Sequence, residues 1–180
     1  EKEQIEQIRS WWSEYGNWVI GGVLVMALGL FGYNYTKSSN VDAQYAASAR
    51  YSDLTELVVA GNVDEAEAVA GQILADFGNT PYAAQAQLAL ARLYMDKSRD
   101  EDAANTLRDL SDRAGDDEFG QVARLRLAKI LLYQDKAEEA LNILGTTGND
   151  GAFAARYDEV RGDAYVALDR VDDARDAYTR

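Results

Sequence analysis

Apolar and polar positions are arranged in two different ways along this chain. Between Glu14 and Lys37 no residue is charged, and the run from Tyr15 to Thr36 is 22 residues long. At ~1.5 Å of rise per helical residue, that length matches the hydrocarbon thickness of a bilayer. From Val41 onward, apolar residues instead recur at three- and four-residue intervals among charged ones, as in helices with one buried face. The pattern predicts an all-α chain: an amphipathic leader over 1–14, one transmembrane helix over 15–36, and a helical domain over 37–180.

The flanks of the uncharged run agree with a span. Trp11, Trp12 and Trp18 mark one rim and Tyr33 and Tyr35 the other, where indole and phenol rings meet the headgroup layer. Ile5, Ile8, Trp12 and Tyr15 fall on one helical face, suited to lying in that layer; a frayed, partly solvated tail is the plainer reading. A signal peptide requires a basic leader and a small-residue cleavage site. Here Glu1, Glu3, Glu6 and Glu14 outnumber Lys2 and Arg9, and the nearest small-x-small triplet, Ala47-Ser-Ala49, lies inside the next helical pattern. Basic residues flank the run equally, so charge alone leaves its orientation open. Gly22, Gly29 and Gly32 share one side of the helix, a surface on which a second membrane helix can pack closely. Glycine is also simply common in membrane helices.

Beyond the run, the sequence repeats itself. Val63-Asp-Glu-Ala66, Glu101-Asp-Ala103, Glu138-Glu-Ala140 and Asp172-Asp-Ala174 each join acids to an alanine, and the alanines step by 37, 37 and 34 residues. Twelve residues before each alanine stand Leu54, Ala91, Ala128 and Gly162. Nine before stand Leu57, Tyr94, Leu131 and Tyr165, and four after stand Ala70, Leu107, Leu144 and Tyr178. These columns describe an antiparallel helix pair per unit, with small residues at the close approach and acids in the first turn of the second helix, where the helix dipole favours them. Breakers separate the elements at Gly61-Asn62, Gly78-Asn-Thr-Pro81, Ala114-Gly115 and Gly145-Thr-Thr-Gly148. One such pair cannot bury its apolar face, whereas a stack of about four can, so the expected architecture is an α-solenoid.

The period and the columns resemble the tetratricopeptide repeat. That resemblance implies a concave groove lined by the first helix of each pair, with the residues one, four and five after the small anchor facing it. Here these are Thr55, Arg92, Met95, Lys129, Tyr133 and Asp163. Arg92 and Lys129 are then basic points able to hold a carboxylate or a backbone carbonyl; salt bridges to nearby acids are the plainer role for both. The whole arrangement resembles the YfgM family of ancillary SecYEG translocon subunits: the leader Glu3-Gln-Ile-Glu-Gln-Ile-Arg-Ser-Trp-Trp12, then Glu14-Tyr-Gly-Asn-Trp18, one apolar run and degenerate repeats. The family implies a bacterial inner-membrane protein with its amino end in the cytoplasm and its repeats in the periplasm. It also implies contact with the SecYEG translocon and the periplasmic chaperone PpiD, with unfolded exported polypeptides as further partners beside the lipid bilayer. The missing initial methionine, a terminus inside a helical pattern and the family's greater length lead us to expect both ends trimmed, with a further helix beyond Arg180.

Composition narrows the chemistry. All but four of the 31 acids and three of the 18 bases lie from Val41 onward, leaving that part at −12 of the total −13. This opposes nucleic acid, which rewards clustered Lys and Arg, and opposes flat adhesion to anionic lipid. There is no cysteine and no histidine, which removes disulfides, thiolate nucleophiles, the usual metal ligands and the usual general base. No phosphate loop, nucleophile elbow or zinc-protease motif occurs. Asn149-Asp-Gly151 and Asp116-Asp-Glu118 lack calcium-loop spacing and read as turns. We therefore expect no enzyme, no cofactor and no metal. The expected role is a membrane-anchored protein-interaction module, linking exported chains to periplasmic chaperones; the rival is a self-associating envelope scaffold.

Overall fold

The computed structural model describes the backbone of residues 2–145 and 151–180, and the side chains of these except 2–10, 13, 14 and 31–40. The described residues form eight α-helices and one short 3-10 turn, with no strand. They are α1 (Lys2–Ala60), α2 (Val63–Phe77), α3 (Pro81–Asp96), α4 (Asp100–Ala114), α5 (Glu118–Tyr133), α6 (Ala137–Leu144), α7 (Ala154–Ala167) and α8 (Val171–Tyr178). The chain divides into two units, Glu1–Tyr45 and Ala46–Arg180.

In the second unit, from α2 onward, each helix packs on the next, and α5 also packs on α3 and α7. This is a stack of helical hairpins whose first helices adjoin one another. The repeated columns are its core. Leu54, Ala91 and Ala128 are buried at the anchor position, as are Ala66, Ala103, Ala140 and Ala174 opposite them. Ala70, Leu107 and Leu144 are buried in the following column, whereas Tyr178 stays half exposed.

The turn inside each hairpin is built the same way four times. The amide of Asn62, Arg99, Lys136 and Arg170 donates to the carbonyl five residues back, at Leu57, Tyr94, Leu131 and Tyr165, over 2.8–3.0 Å. The residue before each donor, Gly61, Ser98, Asp135 or Asp169, takes a left-handed conformation with φ between 56° and 75°. It bonds three residues back, to Val58, Met95, Leu132 or Val166. This double bond pattern is a Schellman close, which satisfies the last carbonyls of the first helix. Two of the four closes carry the same side-chain lock. Arg99 stacks 4.6 Å above the Tyr94 ring and bonds Asp102 at 2.6 Å. Arg170 stacks 4.6 Å above Tyr165 and bonds Asp173 at 2.7 Å. Arg99 also reaches Glu67 on the preceding hairpin at 2.7 Å. Burial, then the hydrogen bond with Glu67, pushes the Tyr94 hydroxyl up to about 12.

In the first unit, α1 carries a run of exposed apolar side chains. Val23, Leu24, Val25, Met26, Leu28 and Leu30 are each 58–72% exposed. The Trp12 ring lies over Gly16, and Trp11 stands 6.0 Å from Tyr15. A Cβ added at Gly22 or Gly29 would touch nothing within 4 Å. Among the described residues no helix is long and apolar enough to cross a membrane. The described part of the expected span, ending at Leu30, is diluted by Tyr15, Gly16, Asn17, Gly21, Gly22 and Gly29. Its remainder, with Gly32, Tyr33 and Tyr35, lies outside the described side chains, as do Ile5 and Ile8 of the leader. Residues 146–148 of the last expected breaker lie outside the described backbone.

Candidate binding groove

The adjoining first helices of the hairpins form two neighbouring cavities. One, of about 290 Å³, lies among Ala91, Arg92 and Met95 of α3, Arg126, Lys129 and Ile130 of α5, and Leu107 beneath them. The other, of about 400 Å³, lies between the end of α1 and α3, where Tyr51 packs on Tyr82 at 5.8 Å between ring centres. Thr55, Val58 and Val59 line it from α1 and Leu88 from α3. Arg92 and Arg126 border both cavities. The arrangement follows from sequence spacing: with helices about 10 Å thick side by side, residues three and four apart on each helix face the seam.

Four of the six groove residues expected from sequence therefore come together: Thr55 in one cavity, Met95 and Lys129 in the other, and Arg92 in both. Thr55 donates its hydroxyl to the Ser52 carbonyl at 2.8 Å. Arg92 lies 3.8 Å from Asp96 one turn on, and Lys129 lies 3.9 Å from Glu159 on α7. All four of these charged side chains are exposed, and ion pairs this loose and wet contribute little.

The structure does not bring Tyr133 and Asp163 to these cavities. Tyr133 is 74% exposed at the end of α5. Asp163 accepts the Tyr178 hydroxyl at 2.7 Å and so is tied to α8; burial and this bond push Tyr178 up to about 12. The Tyr178 ring fills the space where a Gly162 Cβ would stand, so this anchor column admits an aromatic ring from the second helix and turns its neighbour towards that ring.

Sequence reasoning missed Arg126. It makes no ion pair among the described residues, and it stands three residues before Lys129, hence one turn away on the same face of α5. That spacing was the available signal. Among the described residues no three acids gather into a metal-binding cluster.

A second set of residues holds the solenoid together where its helices are shortest. Arg161 on α7 is buried, with its side chain 8% exposed. It donates to the carbonyls of Leu144 and Gly145 at the end of α6, each at 3.2 Å, and pairs with Asp158 at 3.1 Å.

Comparison with known proteins agrees with this architecture. A family model described as a tetratricopeptide repeat-like domain matches residues 9–180. The chain is 32% identical over 178 residues to the ancillary SecYEG translocon subunit of Escherichia coli (strain K12), covering 99% of this chain and 85% of that one. It is 24% identical to the protein of the same name from Aggregatibacter actinomycetemcomitans, covering 99% and 86%. The protein of that name from Neisseria gonorrhoeae is 25% identical, covering 99% and 85%. No solved structure matches the chain.

Proposed function

Because this chain belongs to the tetratricopeptide repeat-like family of ancillary SecYEG translocon subunits, we propose that it is a non-catalytic interaction module of the inner membrane. Residues 15–36 anchor it there as a single span, with residues 1–14 as a cytoplasmic leader and 37–180 as a periplasmic domain. The span docks laterally on the translocon. The hairpin stack meets exported chains or recruits a periplasmic chaperone such as PpiD. The observation that carries the reading is the exposed apolar run on α1, six large aliphatic side chains between Val23 and Leu30. A contiguous apolar surface of that kind marks a membrane or protein contact. Anchoring also raises the effective concentration of the groove near the channel to about millimolar, so that weak contacts suffice.

Gly29 gives a clean test. The space around it is open, so Gly29→Ile places a branched side chain on the helix surface without a clash inside the chain, yet blocks close approach of a second helix. We expect full-length Gly29→Ile to be recovered with the translocon several-fold less than the parent, while its far-ultraviolet circular dichroism is unchanged. Unchanged recovery would remove lateral docking through this face.

A further inference from the structure

We propose that the cavity between the two loops that join successive hairpins, at the starts of α3 and α5, takes the zwitterion of an α-amino acid with an apolar side chain. This cavity shares no lining residue with the two groove cavities. The inference goes beyond the membrane reading above, since it needs neither bilayer nor channel.

The sequence breaks between hairpins at Gly78-Asn-Thr-Pro81 and at Ala114-Gly115, and the fold sets these two breaks beside one another. Between them lies a cavity of about 350 Å³, within the range of small-ligand sites, roughly 300–1,000 Å³. Its walls are fixed before any ligand arrives. Pro81 opens α3, the Thr80 hydroxyl donates to the Phe77 carbonyl at 2.8 Å, and Asp117 caps α5 by accepting the Gly120 amide at 2.8 Å. Pro81, Leu110 and Phe119 give the cavity apolar surface, while Asn79, Arg113 and Asp117 bring polar side chains to it.

Arg113 and Asp117 form no ion pair among the described residues, with each other or with a third side chain. The Arg113 guanidinium instead donates to the side-chain oxygen of Gln87 on α3, a residue only 4% exposed. An amide buried in an apolar core is costly unless paired. Its pairing here is from a cation to a neutral group, which orients the guanidinium and leaves the positive charge uncancelled. Gln87 is in that sense a positioning residue. Both charges then constrain the ligand. A carboxylate alone would bring a second negative charge beside Asp117, and an ammonium alone would face Arg113. A purely apolar molecule would take water from both charges and replace it with nothing. A carboxylate, an ammonium and an apolar side chain on one carbon leave neither charge unpaired: the carboxylate meets Arg113, the ammonium meets Asp117, and the side chain lies on Leu110 and Phe119.

The test is calorimetric titration of the full chain in detergent with leucine, alanine, leucinamide, N-acetylleucine and N-acetylleucinamide. Leucine should bind with a Kd of about a millimolar or lower, as a ligand of few heavy atoms allows. Alanine, which lacks the apolar body, and leucinamide and N-acetylleucine, which each lack one charge, should bind ~10-fold more weakly. Arg113→Gln should bring leucine and leucinamide within about 2-fold of each other. Asp117→Asn, which keeps the helix cap, should do the same for leucine and N-acetylleucine. Gln87→Leu should weaken leucine ~5-fold with a urea midpoint no lower than the parent's, a split that a glutamine with only a packing role would not give. No binding of leucine at about ten millimolar overturns the proposal. Leucine binding no tighter than leucinamide or N-acetylleucine overturns it too, as does an affinity for leucine unchanged in all three variants. Tightest binding of N-acetylleucinamide would show a stretch of polypeptide in the cavity rather than a free amino acid, and also overturns it. Because the cavity is read in detergent without translocon, these results stand apart from the fate of the anchor reading.

Discussion

Arg161→Ala should cost about 3–4 kcal/mol of stability, as much as truncating a fully buried leucine. Three separate effects act together. The two carbonyls at the end of α6 lose their donor, and that of Leu144, which is buried, is left without one away from water. Asp158, only 15% exposed, loses its cation. The Tyr157 ring, 2% exposed, loses the guanidinium 5.5 Å from its centre. Because α6 has eight residues, it is too short to persist on intrinsic propensity and depends on these contacts. Urea unfolding followed by circular dichroism would give the size of the loss. Amide exchange would locate it, since stacked hairpins open by neighbourhood: α6 to α8 should lose protection while α3 and α4 keep theirs. Arg161→Lys should recover only part, because an ammonium cannot span both carbonyls and the carboxylate in one plane. Loss spread evenly over the chain would contradict this role.

Two glycines inside helices should respond in opposite directions to the same substitution. Gly120, in the first turn of α5, is buried against the α4–α5 turn, and a Cβ there would collide with the carbonyl oxygen of Gly115. That oxygen cannot easily move. Gly115 sits at φ 59° and ψ −126°, a region open to glycine, and Arg124 donates to the same carbonyl. Asp117 fixes the Gly120 amide at 2.8 Å. Gly120→Ala should therefore cost about 2 kcal/mol, the overpacking strain outweighing the roughly 1 kcal/mol gained in helix propensity. Gly71, exposed within α2, meets nothing within 4 Å of its Cβ position. Gly71→Ala should stabilise by up to about 1 kcal/mol. At roughly 3 °C per kcal/mol for a domain of this size, the two melting temperatures should move apart by nearly 10 °C. A shift of the same sign for both would contradict the packing described.

The contrast also shows what could be seen in the sequence. The hairpin stack was legible because the columns at twelve and nine before each alanine recur, and they recur because each marks a fixed role: the close approach of two helices, and the carbonyl that accepts the Schellman bond. Turn residues were legible only in part. Gly61 announces a left-handed position, whereas Ser98, Asp135 and Asp169 occupy the same conformation without a glycine. Gly120 reads as one more helical glycine, since its partner is a backbone oxygen with no residue type to betray it. The groove was half legible. Counting forward from the anchors reached Thr55, Arg92, Met95 and Lys129, but no forward count finds Arg126, which stands before its anchor. Asp163, also reached by that count, does not line either cavity, because it accepts the hydroxyl of Tyr178, a side chain from another helix. Arg161 escaped because an arginine among many ion-pairing arginines carries no sign that it will be buried against a helix end.

The measurement that bears most directly on the account is the partition of the full chain between membrane and aqueous fractions, without detergent and after an alkaline wash that strips peripheral proteins. Residues solvated by lipid over 15–36 keep the protein in the membrane pellet, and that is the result expected. Recovery of the intact chain in the supernatant would contradict an anchored hairpin stack.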